Sequence, residues 1–343
     1  MSLLRDNFSM SSNSNTSAFD LVKFVACVLV VCIHTNPLPN YFQPLYRIAV
    51  PMFYMMSSFL FFNRVGSMAQ GEQGHYVLKY IQRSLILYLF YLIVLFPTSY
   101  VFFYRSWWNI GFPDNVLRFT EQFLLSYTFA IPSWYIVSSI LGIIIIYYAT
   151  RCKMKYILPI VAVVLYLFCC LTSNYKSLLP PDFELDYFAG GGIFKPQNSF
   201  VVSLIWIYFG YILTVKNYTF SKSMVFILLA ALFIEYGLII HALGVPESQD
   251  CYILLPPLCF ILFTFVLRLK ITSKNGLMMR KMSTIIFCVH HPIATIGKII
   301  LLHNGIESGI LNFTITISLS ILICLVIFKL EKRKFFGWLM YSY

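Results

Sequence analysis

Residues 19–38 read FDLVKFVACVLVVCIHTNPL, and this stretch decides what the chain folds in. Between Phe19 and His34 only Asp20 and Lys23 are charged. As a helix rising about 1.5 Å per residue the run is about 30 Å long, the thickness of a bilayer's hydrocarbon core. Residues 1–18 (MSLLRDNFSMSSNSNTSA) are polar and Ser/Asn-rich, which predicts a disordered cytoplasmic tail. They do not read as a signal peptide: the apolar run starts too late and no small-residue cleavage site follows it. Working outward, nine further apolar runs of spanning length cover 44–63, 79–104, 131–150, 156–172, 198–215, 223–243, 251–269, 282–303 and 309–330. The longest connectors are 105–130, which carries Trp107, Trp108 and Arg118 and suits an interfacial segment, and 173–197. The predicted fold is an all-α integral membrane protein of about ten transmembrane helices. Its organisation is a tail (1–18), a single transmembrane domain (19–334) and a second cytoplasmic tail (335–343).

Composition agrees. Of 343 residues 59% are hydrophobic and only 11% charged, against about 25% charged in a soluble domain. The net charge of +12 does not make a nucleic-acid binder, because the basic residues lie in gaps between apolar runs rather than on one solvated face. No nucleic-acid partner is expected; membrane lipids are. The nine cysteines mostly sit inside the apolar runs with no CxxC pair, so they read as small core residues, with neither disulfides nor a metal expected.

Lys and Arg set the orientation. With the N-terminus in the cytoplasm and ten spans, 19 of the 25 fall on the cytoplasmic side. The other 6 (Arg47, Arg105, Arg118, Lys176, Lys195 and Lys298) fall outside. An odd number of spans would destroy this positive-inside bias, so both termini are expected in the cytoplasm.

Ionisable groups within spans are functional candidates, since burying them in hydrocarbon costs a few kcal/mol unless they are paired or hydrated. His34, Arg83, Glu235 and the pair His290-His291 qualify. Each has a plainer reading: His34 as a packing hydrogen bond, Arg83 snorkelling to phosphates, Glu235 paired with His241 or a neighbouring helix, and one histidine of the pair as structural. Lys23 and His34 are 11 positions apart, about 1100° of helix, so they share a face about 16.5 Å apart. Asp20 and Lys23 are i,i+3 neighbours and can pair. A cation at one end of a helix face and a histidine deeper along it suits a long ligand with an anionic head, such as acyl-coenzyme A.

These residues also carry a resemblance. FDLVKFVACVLVVCIH (19–34) resembles the opening helix of the acyltransferase 3 family of multi-span membrane O-acyltransferases, in which an acid, a base and a histidine recur as Asp20, Lys23 and His34 do here. VPMFYMMSSFLFF (50–62) is similar to the family's second-span run, with Ser58 where glycine is usual. PSWYIVSSI (132–140), IYFGYIL (207–213) and STIIFCVHHP (283–292) resemble later elements through Trp134, Tyr135, Phe209-Gly210 and His290. KYIQRSLILYLF (79–90) keeps Arg83 but has Tyr80 where the family often has a first arginine, with Lys79 beside it, and Leu87 replaces a proline.

The resemblance implies an acyl-CoA-dependent O-acyltransferase of a bacterial cytoplasmic membrane. It would move an acetyl or other short acyl group from cytoplasmic acyl-CoA, a co-substrate rather than a bound cofactor, to a hydroxyl of a carbohydrate or lipid-linked saccharide. His34 is then the catalytic base. Lys23, Arg83 and Lys79 hold the donor phosphates, while Asp20, Trp134, Glu235 and His290 support the site. Direct transfer and an acyl-histidine intermediate stay open. The competing classes are a lipid or saccharide transporter, against which no paired broken helices are visible, and a polysaccharide polymerase, which usually needs a larger outer loop.

Overall fold

The computed structural model describes residues 14–99, 111–116, 134–180, 196–246 and 249–343. Residues 1–13 lie outside it, as do Trp107, Trp108 and Arg118 of the first long connector and 181–195 of the second. Among the described residues ten helices of twelve residues or more carry the fold: α1 (Ser14–Thr35), α2 (Ala49–Gly66), α3 (Gln70–Ser99), α4 (Trp134–Arg151), α5 (Leu158–Leu171), α6 (Phe200–Val215), α7 (Lys222–Leu243), α8 (Leu255–Val266), α9 (Gly276–His303) and α10 (Gly309–Leu330). Each falls on one of the ten apolar runs, and no strand occurs among the described residues. Seven are long and apolar enough to cross a membrane; α5, α6 and α8 are apolar but shorter, at 14, 16 and 12 residues.

The side chains show why this is a membrane protein. Ile93 of α3, Phe226, Ile234 and Leu238 of α7 and Leu322 of α10 face outward and are mostly exposed, which lipid accepts and water penalises. Ser58, Ser138, Ser203, Asn312, Thr316 and Ser320 are buried between helices instead. Helices satisfy their own backbone groups, which a hydrocarbon solvent cannot do for them.

Two apolar clusters divide the interior. One joins α2 to α4 through α8, with Tyr54, Phe59, Trp206 and Phe263 at its heart. The other gathers α1, α3, α9 and α10 around Cys27, Val31, Tyr91 and Ile286. The most extensive contacts run between α1 and α9 and between α2 and α6. The second of these explains the Phe209-Gly210 pair. A Cβ at Gly210 would lie 2.6 Å from the Met55 carbonyl oxygen and 2.7 Å from the Ser58 Cβ, so only glycine lets the backbones approach this closely. Ser58 completes the contact by donating to the Ile207 carbonyl at 2.6 Å.

Three boundaries differ from the sequence reading. α1 begins at Ser14, so residues 14–18 are helix rather than tail, and Ala18 is buried. α3 begins at Gln70, well before the apolar run at Lys79, because its first turns are polar yet still helical. Beyond α10 the chain turns into a 3₁₀ helix, Lys334–Ser342, that folds back on the bundle: the Tyr91 hydroxyl donates to the Ser342 carbonyl at 2.8 Å, and Trp338 packs on Phe90.

Candidate active site

α1 borders two cavities, one near each end. Near its first turns, Lys23 faces a cavity of about 1120 Å³ whose walls also carry Arg64, Glu72, His75, Lys79 and Arg83. The α3 wall follows from helix geometry. Glu72, His75, Tyr76, Lys79, Tyr80, Arg83, Ser84 and Leu87 recur at i, i+3, i+4 and i+7, so they form one stripe. The structure therefore brings Lys23, Lys79 and Arg83 together, as expected from the sequence. Arg64 and His75 were missed there. The polar stripe beginning before the apolar run was the signal that could have found them. None of the four Lys and Arg side chains has an ion pair among the described residues.

Asp20 does not pair with Lys23. Its carboxylate is buried and takes a two-point bond from Arg280 of α9, with Nε at 2.7 Å and Nη2 at 2.9 Å. The planar guanidinium matches both carboxylate oxygens, which a lysine one turn away cannot do. The pair fastens α1 to α9 and leaves the Lys23 ammonium to the cavity.

At the other end, His34 lines a smaller cavity of about 120 Å³ with Arg47, Trp134, Gln197, Trp206, Asp250 and Phe287. It lies at the seam between the two apolar clusters. His34 sits against both histidines of α9, with ring centroids 5.1 Å from His290 and 4.7 Å from His291. His290 is fully buried, and its Nδ1 lies 3.1 Å from the Ile286 carbonyl oxygen. A carbonyl only accepts, so in the neutral ring Nδ1 carries the proton and Nε2 presents a lone pair, with no partner for it among the described residues. Both members of the pair thus meet His34.

Arg47 and Asp250, 203 residues apart, form an ion pair in this second cavity. The sequence reading had counted Arg47 only as an outward charge. Asp250 is held by a cradle of side chains. The Asp250 amide donates to Ser173 Oγ and the Cys251 amide to Asn174 Oδ1, both at 3.1 Å. The Ile253 and Leu254 amides donate to Glu235 at 2.6 and 3.0 Å. Tyr175 donates its hydroxyl to the same carboxylate, and burial, followed by Glu235 itself, raises that phenol above its ordinary range. Glu235 therefore faces inward as expected, but its partners are Tyr175 and the amides leading into α8 rather than His241. It is a structural clamp placed three residues from Asp250.

Trp134, at the start of α4, contributes its indole to the cavity wall 6.4 Å from the Tyr54 ring. Below it Phe53, Tyr135 and Phe287 meet pairwise at 5.2–6.0 Å, and Tyr135 shares a hydrogen bond with Ser57 at 3.1 Å. Gln197 is buried in the same wall, and among the described residues its carbonyl oxygen has no partner, nor has Arg47 Nε. A cavity that holds the His34 imidazole beside the Gln197 and Arg47 side chains can bind a polar molecule and accept a proton from it.

Comparison with known proteins agrees with this architecture. Two amino-acid racemases of Enterococcus faecalis are each 23% identical to the chain. The first match covers 78% of this chain and 38% of that protein, the second 92% and 46%. The chain thus spans less than half the length of these curated relatives. No solved structure matches. A family model described as an acyltransferase domain matches residues 16–329, which includes both cavities' α1, α3 and α9 walls. The chain belongs to the acyltransferase 3 family.

Proposed function

We propose that this membrane acyltransferase takes an acyl group, acetyl in the simplest case, from cytoplasmic acyl-CoA and transfers it to a hydroxyl of a carbohydrate or lipid-linked saccharide. The proposal includes ten spans with both termini in the cytoplasm of a bacterial cell, so that the basic cavity opens to the cytoplasmic side. One observation carries it: a single helix presents an unpaired lysine to a basic cavity near one end and a histidine to a polar cavity near the other. That is the layout a donor with phosphates at one tip and a thioester at the other requires. Lys23, Lys79 and Arg83, joined by Arg64, hold the phosphates. The thioester reaches His34 past the Phe53, Tyr135 and Phe287 rings.

In the chemical step His34, as a neutral imidazole, removes the proton of the acceptor hydroxyl. The oxygen attacks the thioester carbonyl, the C–S bond breaks, and the departing thiolate takes up a proton as free coenzyme A. His290 lies beside His34 and holds its ring in place. Trp134 offers a flat face to a sugar, and Gln197 and Arg47 offer an acceptor and a donor to its hydroxyls. The activity named for the racemases is not carried over, since the shared part is under half of each.

Ligand stabilisation tests the donor half. A group that binds only the folded state at a hundred times its Kd adds about 2.7 kcal/mol, which a detergent thermal-unfolding assay resolves. Coenzyme A or acetyl-CoA at millimolar concentration should raise the unfolding midpoint. No shift would favour a saccharide or lipid transporter instead.

A further inference from the structure

The basic cavity has a second wall that the donor reading leaves unused. Met340 and Tyr341, from the end of the chain's 3₁₀ segment, and Tyr343 just after it line the cavity together with the α3 stripe. We propose that this segment is the purine subsite of the donor cavity, with Tyr341 stacking on the adenine ring of coenzyme A. The inference rests on the donor reading above and adds to it the part of the molecule that reads the nucleotide.

The periodicity of the segment makes the wall. In a 3₁₀ helix residues three apart share a face. Leu339 and Ser342 form the inward face and are buried, whereas Met340 and Tyr341 are 56% and 51% exposed. The segment is fastened rather than loose. Tyr91 holds the Ser342 carbonyl at 2.8 Å. The Tyr343 hydroxyl donates to Glu331 and accepts from Lys281 Nζ at 2.8 Å. Burial, followed by the Glu331 bond, raises the Tyr343 phenol above its ordinary range, so it stays a donor. Tyr341 is thus a half-exposed aromatic ring on an anchored backbone, and its hydroxyl has no hydrogen bond among the described residues.

Ligand chemistry follows from what the two walls offer together. The α3 stripe and Arg64 supply cations without an ion pair among the described residues, which suits phosphates. The 3₁₀ segment supplies an aromatic ring and a thioether, which suits a flat, weakly polar body. A cavity of about 1120 Å³ is far larger than a phosphate group alone needs. A nucleoside phosphate has both parts: a base to stack and phosphates for Arg64, Lys79 and Arg83. A lipid phosphate has the charge but no ring, so it gives Tyr341 nothing to recognise.

The test compares coenzyme A with 4′-phosphopantetheine, which lacks the whole adenosine 3′,5′-bisphosphate part, on the purified chain in detergent. Stacking of a base on an aromatic side chain is worth roughly one order of magnitude in affinity. Tyr341→Ala should therefore raise the Kd for coenzyme A about tenfold and leave that for 4′-phosphopantetheine unchanged. Tyr341→Phe and Tyr341→Trp should bind both as the parent does. An equal loss for both ligands in Tyr341→Ala would make the segment a structural wall and overturn the proposal. No loss for either would put the purine elsewhere, or replace it with a lipid phosphate, and overturn it equally. A parent protein that binds neither compound removes the donor reading first and the subsite with it.

Discussion

Glu235 offers the sharpest energetic test. Its carboxylate accepts three hydrogen bonds, from Tyr175 and from the Ile253 and Leu254 amides, and those amides have no other acceptor among the described residues. Glu235→Ala removes the acceptor of both part-buried N–H groups. A hydrogen bond to a charged group is worth about 1.5–3 kcal/mol, so losing the two should destabilise the bundle by about 3–6 kcal/mol. Glu235→Gln is milder and more informative. Its remaining oxygen can keep Tyr175 and Ile253, while its NH₂ meets the Leu254 N–H donor to donor. The loss is then one charge-assisted bond, about 1.5–3 kcal/mol. Because the same segment carries Asp250, transfer per folded molecule should fall along with the unfolding midpoint in both variants. The assay is thermal unfolding in detergent beside specific activity. If Glu235→Ala unfolds at the parent's midpoint, the clamp is not holding the segment and the reasoning fails.

Four further outcomes follow from the same geometry. His34→Ala should lower transfer about 10²–10⁴-fold while the protein still folds and binds coenzyme A; specific activity per folded molecule at the parent level would remove the catalytic claim. Lys23→Ala should weaken coenzyme A about 10–100-fold, recoverable with more donor, whereas Lys23→Arg should keep substantial activity; direct binding measurements separate the two. Asp20→Ala should leave Arg280 without its two-point partner and loosen α1 from α9, read as a lower unfolding midpoint with no selective loss of donor affinity. Cysteine labelling should find the 151–155 and 268–281 loops both accessible from the cytoplasm, and finding them on opposite faces would end the ten-span arrangement.

The helices were legible because membrane helices announce themselves by length and apolarity, and every one of the ten runs became a helix. Their ends were less so. Ser14–Ala18 and Gln70–Leu78 are polar, and polar residues continue a helix wherever one face has something to line. The site was legible where its residues share a helix, as Lys23 with His34 and Lys79 with Arg83 do. It was not legible where partners are far apart in the chain. Asp20 chose Arg280, 260 residues away, over its neighbour Lys23, because bidentate geometry outweighs sequence proximity. Arg47 stood in the sequence as a charge on the outer side, and nothing local said that it meets Asp250.

Lys23 and His34 belong to one uninterrupted helix, so the span between the two cavities is set by covalent geometry rather than by loops that can give. The stretch 24–33 therefore acts as a ruler. Deleting one residue within it shortens the span by about 1.5 Å and swings the imidazole about 100° around the axis. Inserting four nearly restores the face, about 40° off, but lengthens the span by about 6 Å. Reacting atoms misplaced by even about 1 Å can lose about 10²-fold in rate. Substitutions among these apolar positions should be tolerated as long as they pack, while any change in their number should not, whatever residues are used.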